Sequence, residues 1–101
     1  MKRVYAFDVD GTLIDYNDVP REEIVEMARS LAFDPANTVI VWSGGGAEYA
    51  AMWARRLGID HLVTMMAKDN SIKPSVAIDD VPETCLGATV TLVVQTNIPK
   101  L

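Results

Sequence analysis

Cysteine and histidine are almost absent from this chain. Cys85 is the single cysteine among 101 residues, which excludes an internal disulfide and fits a reducing, cytoplasmic setting. His61 is the single histidine, so a zinc site of the usual ligand types is not expected. Basic residues are also few: 9 Lys and Arg stand against 14 Asp and Glu, a net charge of −5. That balance argues against nucleic acid as a partner, since non-specific binding needs a cationic surface. No apolar run approaches the length of a membrane span, so no membrane partner is expected. Lys2 and Arg3 are followed at once by Asp8 and Asp10, which does not fit a signal peptide. Repeats, low-complexity tracts and linkers are absent too. What remains is a composition of 50% hydrophobic and 23% charged residues, expected of one globular domain over residues 1–101 with a modest core.

Strand-like and helix-like segments alternate along the chain. Residues 3–9 and 38–43 are apolar on both faces, as strands covered on both sides of a parallel sheet are. Asp18-Val-Pro20 opens the first helix, with Pro20 in its first turn. Ile24, Met27, Ala28 and Leu31 then form a stripe at helical spacing, and Asp34-Pro35 ends it. A second helix is expected from about 46 to 57, lined by Ala47, Ala50, Ala51, Ala54 and Leu57 and capped by Gly58. Residues 61–66 and 75–79 are shorter strands, and 88–95 partly alternate, as an edge strand does. The order implies an α/β fold: a Rossmann-like three-layer sandwich on a five-stranded, mostly parallel sheet. Ligands of such sheets bind at the C-terminal strand ends.

Those ends hold the chemistry. Val4-Tyr-Ala-Phe-Asp-Val-Asp-Gly-Thr-Leu13 ends an apolar run at Asp8, places a second acid at Asp10 and turns at Gly11. Two carboxylates at a core strand end repel each other unless a cation or phosphoryl group sits there. Ser43 closes the second strand before Gly44-Gly45-Gly46, and Asp79-Asp80 closes the fourth. A carboxylate such as Asp8 can attack phosphorus. The Ser43 hydroxyl and the backbone N–H groups of 44–46, at a helix N-terminus, can hold phosphate oxygens. Asp80 and Asp8, with the backbone carbonyl of Asp10, can ligate magnesium. Asp10 can protonate a leaving oxygen and then activate water.

Asp8-x-Asp10-Gly11-Thr12, an apolar strand ending in Ser43, a downstream lysine and Ile78-Asp79-Asp80 together resemble, in order, the four motifs of the haloacid dehalogenase-like (HAD) superfamily. The resemblance covers almost the whole chain. It implies a magnesium-dependent phosphatase working through a phospho-aspartate on Asp8, because dehalogenating relatives lack the acid at the position of Asp10 and transport ATPases carry threonine there. It also implies catalytic roles for Asp8, Asp10, Ser43 and a lysine, and phosphate contacts from Gly11, Thr12, Ser43, Gly44, Gly45 and that lysine. Asp8, Asp10, Asp79 and Asp80 are implied at the metal, with Asp80 direct and Asp79 in support. The lysine is Lys68 or Lys73. Lys73-Pro74 resembles the family's common pair, but an extended 74–79 would hold Lys73 about 20 Å from Asp79, whereas Lys68 follows the third strand on the site's side. Reach therefore favours Lys68.

The loop Leu13–Val19 and the connection 67–74 are too short for a cap domain, and the latter lacks a crossover helix, so it must run extended across the sheet. An uncovered site suits a phosphorylated small-molecule or macromolecular substrate, or a mouth closed by a second copy of the chain. Blander readings stand beside these. Thr12 holds the loop by hydrogen bonds, Asp15 and Asp18 are solvated loop and cap residues, and His61 is a surface residue. Cys85 is inert and partly buried, and Trp42, Tyr49 and Trp53 are packing residues. The alternative function is a non-catalytic HAD-like domain that binds metal or a partner. A phosphoryl-accepting receiver domain is disfavoured, because Asp8 and Asp10 share the first strand.

Overall fold

The computed structural model describes residues 2–81 and 87–94. Five strands and two helices follow one another as β1 (Arg3–Asp8), α1 (Glu22–Phe33), β2 (Asn37–Ser43), α2 (Ala47–Arg56), β3 (Thr64–Ala67), β4 (Val76–Asp79) and β5 (Val90–Val93). The strands form one sheet in the order β3-β2-β1-β4-β5, parallel at every pairing. This is the expected Rossmann-like α/β sandwich. Its centre is β1, the strand whose sequence is apolar on both faces, paired with β2 on one side and β4 on the other. Among the described residues no helix is long and apolar enough to cross a membrane.

Both helices lie on one face. Ile24, Val25 and Ala28 of α1 and Ala50, Trp53 and Ala54 of α2 join Phe7, Val39, Val41 and Ile78 in the larger core cluster. The reason is handedness. The chain steps from β1 to β2 to β3 in one direction, and right-handed crossovers then place both helices on the same side. The return from β3 to β4 runs the other way and belongs on the opposite face. Residues 68–75 make that return without a helix, as the short connection predicted, and Ile72 packs there with Ala6, Ile40 and Trp42. Ser75 fastens its end: its N–H donates to the Val4 carbonyl at 2.8 Å, and its hydroxyl accepts the Val4 N–H at 3.1 Å.

The entry to α1 differs from expectation. The helix starts at Glu22, and Pro20 instead forms an antiparallel bridge with Ile14. The Asp15 N–H donates to Val19 and the Arg21 N–H to Leu13, so 13–21 doubles back as a narrow hairpin. Asp15 locks it. Its side chain is buried, not solvated, and accepts the N–H groups of Asn17 at 2.8 Å and Val19 at 3.0 Å. These bonds satisfy backbone donors that a longer helix would leave orphaned at its first turn. Asp18 sits at the hairpin tip with φ 63°, away from the helix start. Strand β3 also begins later than expected, at Thr64, because 59–63 turn around the buried Ile59. Strand β5 is an edge strand, as its alternation suggested, with Val90, Leu92 and Val93 exposed. Cys85 lies outside the described residues.

Candidate active site

The C-terminal ends of β1, β2, β3 and β4 converge on a cleft of about 240 Å³ lined by Asp8, Asp10, Tyr16, Gly44, Lys68, Asp79, Asp80 and Val81. Lys68 is its hub. The residue follows β3 directly, and its N–H donates to the Ser43 carbonyl at 2.8 Å, which aims the side chain along the strand ends. The Lys68 ammonium donates to Asp8 Oδ1 at 3.0 Å and to Asp79 Oδ2 at 2.6 Å. It also lies 5.8 Å from the Trp42 ring centroid, within cation–π range. Lys73 is elsewhere. It is exposed, and its Cγ would stand 3.1 Å from a Cβ on Gly87, ahead of β5 and at the opposite end of the sheet.

Asp8, Asp79 and Asp80 each bring a carboxylate oxygen to within 4.8 Å of the others. Three hard oxygen donors at that spacing fit a divalent cation of the magnesium type. One lysine offsets only part of their charge. The Asp8 carboxyl is accordingly pushed up to about 7, first by burial and then by Asp79 and Asp80, against the downward pull of Lys68. Burial would lower Lys68, but its hydrogen bond to Asp79 and the charge of Asp8 prevail and raise it. An ionised Asp8 is thus opposed first by burial and then by like charge, and a cation would offset both. Asp79 is the most enclosed of the three and also accepts the Val81 N–H at 2.8 Å. Asp80 stands nearer the mouth and accepts the Tyr16 hydroxyl.

The other predicted residues fall into two groups. Gly44 reaches the cleft wall, whereas Gly11, Thr12, Ser43 and Gly45 are not among the lining residues. The Thr12 hydroxyl donates to Asp8 Oδ2 at 3.4 Å. Ser43 is buried, and its hydroxyl accepts the Gly45 N–H at 2.9 Å, while the Gly46 N–H donates to the Ser43 carbonyl. Of the three glycine amides, that leaves Gly44 for a ligand. Gly11 is required where it stands: at φ 83° a side chain is strained, and a Cβ would collide with the Asp80 carboxylate and the Tyr16 hydroxyl.

The Asp10 side chain stands apart from the carboxylate cluster; the metal contact expected of Asp10 is its backbone carbonyl, not its carboxylate. The strand stops at Asp8, and the turn closed by Thr12 N–H and Ile14 N–H on the Val9 carbonyl swings Asp10 outward. Its side chain is exposed and accepts the Tyr49 hydroxyl at 2.8 Å. Tyr16 and Tyr49 are the site residues that the sequence does not signal. Each meets its acid across a long stretch of chain, and a tyrosine on a loop or helix has no motif around it.

The raised Asp8 carboxyl has a consequence for stability. Without divalent cations the folded state keeps the Asp8 proton up to about pH 7, whereas the unfolded chain releases it near 3.8. The unfolded state therefore binds fewer protons across that window, and the Asp8 contribution destabilises the fold as pH rises through it. In urea titrations with chelator, Asp8→Asn should gain on wild type between pH 4 and pH 8 by on the order of 3 kcal/mol. A pH-independent difference would contradict the raised Asp8 carboxyl.

No family model matches the chain. It is similar in part to two curated proteins of Arabidopsis thaliana, the probable alpha,alpha-trehalose-phosphate synthases (UDP-forming) 8 and 9, at 36% and 38% identity over 55 residues. The similarity covers 52% of this chain and 6% of either relative, so the chain spans only a small part of the curated proteins it matches. No solved structure matches.

Proposed function

We propose that the protein is a HAD-like, magnesium-dependent phosphatase that hydrolyses a phosphomonoester through a phospho-aspartate on Asp8. The observation that carries this reading is the juxtaposition of Asp8 with Lys68, Asp79 and Asp80 at the ends of three parallel strands. An unprotonated Asp8 oxygen attacks phosphorus, the bond from phosphorus to the ester oxygen breaks, and Asp10 gives its proton to the departing alcohol. Water then attacks the acyl-phosphate, Asp10 takes back a proton, and phosphate and the Asp8 carboxylate are restored. Lys68 steadies the anionic phosphoryl oxygens, and the Gly44 N–H at the cleft wall would add a second donor. A cation held by Asp8, Asp79 and Asp80 would supply charge neutralisation between the carboxylate nucleophile and its anionic substrate.

The cleft is open and carries one cation among its lining residues, which suits a monoester better than a polyanion. Phosphorylated sugars belong in a substrate panel because the partial relatives are named for trehalose phosphate. The test is a broad phosphomonoester panel with and without magnesium. Hydrolysis that appears with magnesium and vanishes with chelator is expected. Magnesium binding without turnover on any ester would instead favour a non-catalytic metal-binding domain.

A further inference from the structure

Asp10 is an exposed carboxylate on a turn, yet it is held. Tyr49 lies in the first turn of α2, and its hydroxyl donates to Asp10 Oδ1 at 2.8 Å. The helix behind it is anchored by Ala50, Trp53 and Ala54, all buried in the larger core. The Tyr49 ring is itself half-buried and packs against that core. The phenol is therefore presented from a rigid element, unlike the acid it binds. Trp53 stands one helical turn on, and among the described residues its buried indole N–H makes no hydrogen bond of normal geometry. An unheld carboxylate two residues from Asp8 would be drawn towards any cation that the three clustered acids bind.

We propose that Tyr49 is the positioning residue for Asp10: its phenol pins one carboxylate oxygen at the cleft mouth and keeps the group clear of the Asp8–Asp79–Asp80 cluster, so that the other oxygen faces the leaving group. The inference rests on the phosphatase reading. In the first step the proton on the unpinned Asp10 oxygen moves to the ester oxygen as its bond to phosphorus breaks. A tyrosine that only packed against the core would do this no service, and its hydroxyl would be dispensable.

Tyr49→Phe keeps the ring and removes the bond, and kcat/KM reports the steps through phosphoryl transfer to Asp8. An alkyl phosphate needs protonation of its leaving oxygen, whereas p-nitrophenolate leaves readily without it. Tyr49→Phe should lower kcat/KM on an alkyl phosphate about tenfold or more beyond its effect on p-nitrophenyl phosphate, part of the range general acids supply. In an Asp10→Asn background the same substitution should add no further selective loss. Equal effects on both esters, or losses that simply multiply with Asp10→Asn, would overturn the role while leaving the phosphatase reading intact. A wild type inactive on every ester would overturn both.

Discussion

On the proposed reading, Asp8→Asn should lower magnesium-dependent phosphomonoester hydrolysis by about 10⁴-fold or more, a loss of the size seen when a covalent nucleophile is removed. An amide cannot form the acyl-phosphate, so the substitution closes the route and does not merely slow it. It also withdraws one of the three carboxylates that converge within 4.8 Å, weakening cation binding. The fold should survive. Lys68 keeps Asp79 as a partner at 2.6 Å, and the neutral amide removes a charge that burial opposes more than Lys68 supports. In chelator at neutral pH the variant should therefore melt at or above the wild-type temperature. Steady-state assays beside thermal unfolding separate the two effects. Residual activity within tenfold of wild type would remove Asp8 from the nucleophile's place.

Lys68→Ala should be costly in both activity and stability. The Lys68 ammonium bridges Asp8 and Asp79, and its side chain is 12% exposed. Removing it leaves two enclosed carboxylates without their cation, which for a broken buried pair costs about 3–5 kcal/mol. Lys73→Ala, at an exposed position away from the cleft, should stay within about 0.5 kcal/mol. The Lys68→Ala penalty should shrink as pH falls below about 7, because a protonated Asp8 no longer needs the ammonium. Saturating magnesium should narrow it as well. Catalysis should fall about 10²–10³-fold, as when one preorganised donor to a developing charge is lost. Urea unfolding at two pH values, with and without magnesium, checks the stability terms. Equal penalties at Lys68 and Lys73 would refute the bridge.

Much of this arrangement was legible before folding. A strand apolar on both faces has to be central, and β1 is. Polar residues that interrupt such strands gather at one edge of a parallel sheet, which placed Asp8, Ser43 and Asp79 together. The reach of an extended chain separated Lys68 from Lys73 where the Lys73-Pro74 pair pointed the other way. Local backbone competition was less legible. Pro20 suits a helix start, but the hairpin bonds of Asp15, Val19 and Arg21 satisfied more donors and delayed the helix to Glu22. Asp15 looked like a solvated loop acid because nothing in its neighbours announces the turn it folds. The path of the Asp10 side chain was not legible either, since alternation ties i to i+2 only while the strand lasts, and the strand ends at Asp8. Tyr16 and Tyr49 were out of reach for a different cause: hydrogen bonds across 64 and 39 residues leave no periodic trace.

The covalent intermediate offers the most direct measurement. The protein is mixed with magnesium and an excess of its best phosphomonoester, quenched in acid, reduced with borohydride and mapped by mass spectrometry. An acyl-phosphate on Asp8 is reduced to homoserine, so that residue should appear at position 8, and only in samples that met substrate. Turnover with an unmodified Asp8, or a phosphoryl group found on Ser43 instead, would contradict a phosphatase that works through this carboxylate.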